Sequence, residues 1–94
     1  MTTDIVHDKA ARRFTLDRSG RRSHLTYRLL DSSTVDFVST WVDPALRGRG
    51  IGARLVEHAL EWADRQDLQV LPSCWFVAEF IAHNPRYRPL AVAR

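Results

Sequence analysis

The residues best suited to chemistry lie in Arg47-Gly48-Arg49-Gly50-Ile51-Gly52. Two arginines and two glycines stand between a strand-like run, Thr34 to Val42, and a helix-like run, Ile51 to Gln66, and the third glycine, Gly52, lies in the first turn of that helix. Glycine has no Cβ, so backbone N–H groups there can approach a ligand closely. The first N–H groups of a helix lack intrahelical partners, and the macrodipole places partial positive charge at that end. A phosphate satisfies both. From Leu46 to Gly52 there is no Ser, Thr, Asp or Asn to cap the helix from within. The pattern reads as an anion-binding loop; the plainer alternative is an exposed turn with solubilising arginines. A second candidate is Cys74, which falls where another helix is expected to start, a place that favours a thiolate. Its plainer reading is a small buried core residue.

The flanking elements must position these groups. Ile5 to His7 and Arg13 to Leu16 are short strand candidates. Ser23 to Leu30 alternates Leu25, Tyr27 and Leu29 against polar residues, a half-buried strand. Thr34 to Val42 is the strongest strand. Strict alternation puts Val35, Phe37 and Trp41 on one face and Val38 and Val42 on the other, which predicts a central strand covered on both sides. Short polar turns make an antiparallel meander the economical topology. The helix from Gly50 to Gln66 carries an apolar stripe of Ile51, Leu55, Val56, Ala59, Leu60, Trp62 and Ala63. Its wet face holds Arg54, Glu57, His58, Glu61 and Arg65, with Glu61 and Arg65 at a supportive spacing. Leu68 to Leu71 is a short strand ended by Pro72. Ser73 can cap a second helix, Cys74 to about His83, which Pro85 terminates. Arg86 to Arg94 is unassigned, with Tyr87 and Leu90 packing back. The fold class is therefore α+β: about four antiparallel strands, then helix, strand, helix, in one domain spanning 1–94.

The 94 residues are 45% hydrophobic and 27% charged, which argues against a disordered chain, and the net charge is +3. Lys9 is the only lysine, and arginine's planar fork suits phosphate. The single cysteine excludes an intramolecular disulfide and a cysteine-based zinc site, and fits a reducing compartment. Met1-Thr2-Thr3-Asp4 shows no secretory leader pattern, and no apolar run is long enough to span a bilayer. A cytoplasmic location is expected.

A meander followed by Arg-x-x-Gly-x-Gly at a helix start resembles the acetyl-CoA-binding core of the GNAT acetyltransferase superfamily. Arg47, Gly50 and Gly52 take the motif positions, and Gly48, Arg49 and Ile51 fill them in. The resemblance implies that the preceding strand splays from its neighbour and pairs with the pantetheine arm, which Trp41 and Val42 would meet, while the loop amides hold the pyrophosphate. Leu71-Pro72-Ser73-Cys74-Trp75-Phe76-Val77 and Asn84-Pro85-Arg86-Tyr87 resemble a branch of minimal single-domain members. Ile5-Val6-His7-Asp8, Arg13-Phe14 and Leu25-Thr26-Tyr27-Arg28 fit the same branch. Ser39-Thr40-Trp41-Val42-Asp43 stands where that branch often has His-Thr-x-Val-Pro, so no role for a histidine before Thr40 carries over. The expected elements include no N-terminal helices of the kind that help build the acceptor pocket in full-length relatives.

The resemblance implies an N-acetyltransferase using acetyl-CoA as co-substrate, without a metal, on an unidentified amine that is a small molecule or a protein lysine. Arg47 and Arg49 would contact CoA phosphates, with Arg54 within side-chain reach. A Cys74 thiolate could accept the acetyl group, or the thiol could protonate departing CoA. Among other titratable groups, His58 reads as solvated, His24 as a weak candidate, and His83 as a helix-ending charge. Glu79 is a base only if it faces the cleft, and Tyr87 is an acid only if it does not simply pack. Trp75 and Phe76 belong to the core or shape the pocket. A monomer is expected, with no membrane partner. The rival readings are a CoA-binding module without efficient catalysis and, behind it, a small basic nucleic-acid-binding domain using Arg12-Arg13 and Arg21-Arg22.

Overall fold

The computed structural model describes residues 4–92. The absence of a leader was read from residues 1–4, of which 1–3 lie outside the described residues, as do 93–94 of the tail. β1 (Ile5–Asp8), β2 (Arg13–Arg18), β3 (Arg21–Asp31) and β4 (Thr34–Trp41) form an antiparallel meander. A 3-10 turn (Pro44–Leu46) leads to α1 (Ile51–Arg65), which crosses over to β5 (Gln69–Leu71), parallel to β4. α2 (Trp75–His83) and a 3-10 segment (Pro85–Leu90) follow. The sheet order is β1-β2-β3-β4-β5, the mixed α+β arrangement expected.

α1 covers the sheet face that carries Phe14, Leu25, Tyr27 and Phe37. The stripe read from the sequence is the buried one: Ile51, Leu55, Val56, Ala59, Leu60 and Ala63 all lie inside. Burying each of the larger side chains contributes roughly 1.5–3 kcal/mol, which outweighs any local helix preference in fixing α1. Trp62 is only partly buried and stands edge-on to His7 and Phe14, with ring centroids 4.9 and 5.6 Å away. His58 is not fully solvated. It is half-buried, edge-on to Phe14 at 5.6 Å, and burial holds its pKa below the usual value. Glu61 pairs with Arg86 at 3.4 Å. Tyr87 is buried and Leu90 partly so, and Val92 N donates to Val70 O at 2.8 Å, which ties the tail beside β5.

β4 corrects the alternation argument. Its pairing with β3 steps from Thr26↔Ser39 to Tyr27↔Phe37, so Val38 is an extra residue, a bulge. One inserted residue inverts the facing of everything beyond it. Val35 and Phe37 therefore stay on the α1 side, while Trp41 turns to the opposite face, 42% exposed and stacked on His24 at 5.8 Å. Val38 is exposed, and Val42 packs against the core rather than away from it. The strand is covered on both sides only in its first half, where Asp36 is buried between Val35 and Phe37; beyond the bulge, the face bearing His24 and Trp41 is open.

Candidate cofactor groove and active site

Beyond the bulge, β4 loses its outer neighbour. β5 pairs with it only over Thr34–Asp36, and the last link is Cys74 N donating to Phe37 O at 2.9 Å. From Val38 onward no described strand pairs with that edge of β4. Unpaired strand groups facing a groove are a template for an extended ligand.

The groove holds about 560 Å³. Thr40 and Val42 supply its strand wall, Leu46, Arg47, Gly48 and Gly50 its loop wall, Ile51 and Ala53 the start of α1, and Trp75 and Phe76 the start of α2. None of these is a histidine or a carboxylate.

The loop is held from below. Asp43 accepts from Ala45 N at 2.9 Å, and Asp43 N donates to the buried Ser23 Oγ at 3.1 Å. Leu46 is buried and pins the turn into the core. Arg47 Nε donates to Val42 O at 3.3 Å, fixing the guanidinium beside the end of β4. Gly48 and Gly50 adopt φ of 83° and 75°, which side chains with a Cβ rarely tolerate. Gly50 is the α1 N-cap and makes no side-chain cap bond. The first turn of α1 contains no acidic residue, so its N–H groups and dipole meet no built-in anion. Gly52 serves close packing: a Cβ there would lie 3.0 Å from the Phe76 ring and 3.4 Å from Val42 Cγ2.

Val42, Arg47, Gly48, Gly50 and Ile51 thus come together around one groove. Gly52 stands just behind it, against Phe76. Arg49 is exposed on the same loop without lining the groove. Trp41 does not line the groove: it pairs with His24 of β3 and stacks on that ring on the opposite face. Cys74 is buried at the N-cap of α2, with Sγ 3.5 Å from Thr40 Oγ1, and meets the groove through that contact. Thr40 escaped the sequence reading because only the bulge reveals its facing. Its position directly opposite the inward Leu25 is the signal that places it.

The other titratable candidates lie elsewhere. His24 packs on Trp41, with its pKa lowered by burial and then by Arg13. His83 Nδ1 lies 2.9 Å from Glu79 O, with both side chains at the surface. The Tyr87 ring packs on Phe80 at 5.9 Å, its pKa raised by burial and then by Glu61. His7, which the sequence did not single out, stacks on Phe14 at 4.1 Å and bonds Tyr27 Oη at 2.7 Å. A second hollow of about 290 Å³ lies beside α1, between Ile5 of β1 and Arg54, Glu57, His58, Glu61 and Arg65. Apart from Ile5 and His58, its lining is surface charge of mixed sign. The paired arginines at the β2–β3 turn are engaged by acids, Arg21 with Asp43 at 3.6 Å and Arg22 with Asp17 at 2.8 Å. No cluster of three metal-ligating side chains occurs among the described residues, and no helix there is long and apolar enough to cross a membrane.

The architecture is shared with a solved protein. The NMR solution structure of a GCN5-like protein from Staphylococcus aureus superposes with a TM-score of 0.75, covering 99% of this chain and 93% of that one at 21% identity. Residues 13–90 match the profile of the GCN5-related N-acetyl-transferase family, and the chain belongs to that family. It is similar to Protein NATD1 of Bos taurus, 35% identical over 83 residues that cover 86% of this chain and 74% of that protein. Protein NATD1 of Homo sapiens is 34% identical over the same shares, and that of Xenopus tropicalis is 32% identical over 86% of this chain and 76% of its own.

Proposed function

We propose that the chain is an acetyl-CoA-dependent N-acetyltransferase acting on an amine. The observation that carries this is the continuity of the groove, from an unpaired strand edge, through the arginine-glycine loop, to an uncapped helix start. An extended pantetheine arm would pair with β4 from Val38 to Val42, with the pyrophosphate on the amides of Gly48 to Gly52. Arg47, with Arg49 beside it, supplies charge-assisted bonds to the phosphates. The bulge at Val38 leaves backbone N–H groups near the thioester end, where negative charge develops on the carbonyl oxygen during attack. A neutral amine attacks that carbon, the C–S bond breaks, and the amine proton leaves through water, since no side-chain base lines the groove. The acceptor is a small amine or a protein lysine. The chain acts as a monomeric single domain in the cytoplasm.

Two routes share this geometry. In direct transfer, the Cys74 thiol donates a proton to departing CoA. In the covalent route, Cys74 Sγ takes the acetyl group, releases CoA and passes the acetyl to the amine. Intact mass after incubation with acetyl-CoA separates them: an acetyl adduct present in the parent and missing in Cys74→Ala supports the covalent route. Turnover itself is read as amine-dependent release of CoA thiol across small amines and lysine peptides. The absence of histidine and carboxylate from the groove favours one second reading, a CoA-binding module without efficient catalysis. Firm CoA binding with no thiol release for any amine would select it.

A further inference from the structure

Trp75 is out of place for a core residue. It is the first residue of α2 and 74% exposed, while its neighbours Cys74 and Val77 are buried and Phe76 is partly so. It also lines the groove, together with Thr40, Val42 and Arg47. An indole presents a large apolar surface with little conformational entropy to lose, so a ligand that covers it gains from the burial. The other two tryptophans are occupied. Trp41 stacks on His24 on the far face, and Trp62 packs against His7, Phe14 and Tyr27.

We propose that Trp75 is the lip of the groove and closes over the apolar pantetheine arm, positioning it against the unpaired edge of β4; this rests on the CoA reading above. Three observations choose the arm over the adenine ring. Cys74, one residue before Trp75, touches Thr40 and bonds Phe37 O, so the start of α2, which Trp75 opens, is fixed beside the strand wall of the groove. That wall is where an extended chain can pair with β4. The charged part of the ligand is drawn instead to Arg47 and the loop amides. The indole therefore faces the methyl-bearing, uncharged stretch. Phe76 also lines the groove, but its ring packs beside Gly52, so it forms the floor there and not an exposed lip.

The test is calorimetric titration of the parent, Trp75→Ala and Trp75→Phe with three probes: CoA, 4′-phosphopantetheine and 3′,5′-ADP. Because Trp75 is exposed, both variants should keep the parent's melting temperature. Trp75→Ala is expected to weaken CoA and phosphopantetheine about tenfold, Trp75→Phe to weaken them less, and 3′,5′-ADP to bind all three alike. CoA should change the parent's tryptophan fluorescence and leave that of Trp75→Phe nearly unaltered. Equal affinity of parent and Trp75→Ala for phosphopantetheine overturns the inference and leaves the CoA reading intact. Loss confined to 3′,5′-ADP overturns it in favour of adenine stacking. A parent that binds no CoA overturns both.

Discussion

Gly52 is where one methyl group sets packing against binding. Alanine is the better helix former by up to about 1 kcal/mol. Its Cβ, however, would stand 3.0 Å from the Phe76 ring, which also lines the groove, so the ring would have to shift there. Gly52→Ala is therefore expected to change stability by less than about 1 kcal/mol while weakening CoA several-fold, because overpacking and helix propensity oppose each other. Paired thermal melts and CoA titrations check this; a large fall in melting temperature with unchanged affinity would contradict it. At this scale the loop was legible. The glycine-arginine run pointed to Arg47, Gly48, Arg49, Gly50, Ile51 and Gly52; of these Arg47, Gly48, Gly50 and Ile51 line one groove, while Arg49 and Gly52 do not. The facing of Thr40 and Trp41 was not legible, because the Val38 bulge carries no glycine or proline to mark it.

At the scale of elements, β2 and α1 are joined through Asp4, just before β1. Its carboxylate bonds Arg18 of β2 at 2.6 Å and Arg54 of α1 at 2.7 Å. These two bonds, Arg18 first, lower its pKa from 3.8 to about 2. A depressed carboxylate contributes stability that is complete above its unfolded value and fades as pH falls from 3.8 toward 2. His7 lies under the same helix, and burial lowers its pKa from 6.5. The unfolded chain therefore takes up that proton first, and stability falls as pH drops below 6.5. Both groups act in the same direction. Melting temperature is predicted to decline from neutral pH in two stages, with Asp4→Asn removing only the lower one. A decline unaffected by Asp4→Asn would show that the exposed bonds to Arg18 and Arg54 contribute nothing, as surface pairs often do. The order of strands and helices was legible from period and turn residues. The solvent-facing side of the sheet was not, because alternation across an unmarked bulge suggested a strand covered twice.

For the whole molecule, the meander builds a wall, the bulge releases its edge, and the crossover helix brings an uncapped N-terminus to the same place. Membership of the GCN5-related family fits this arrangement. Transfer chemistry was less legible, since the one thiol, Cys74, does not line the groove and reaches it only through its contact with the Thr40 hydroxyl. Replacing it is predicted to leave CoA affinity within about twofold, since Cys74 touches the groove only through that side chain. A large loss of affinity in Cys74→Ala would instead make it part of the binding wall. The most direct measurement is calorimetric titration of CoA into the parent and Arg47→Ala. Micromolar binding that weakens about tenfold in Arg47→Ala, the loss of one charge-assisted contact, is the predicted result. No heat of binding in the parent, or the same affinity in both proteins, would contradict the assignment of this groove to CoA.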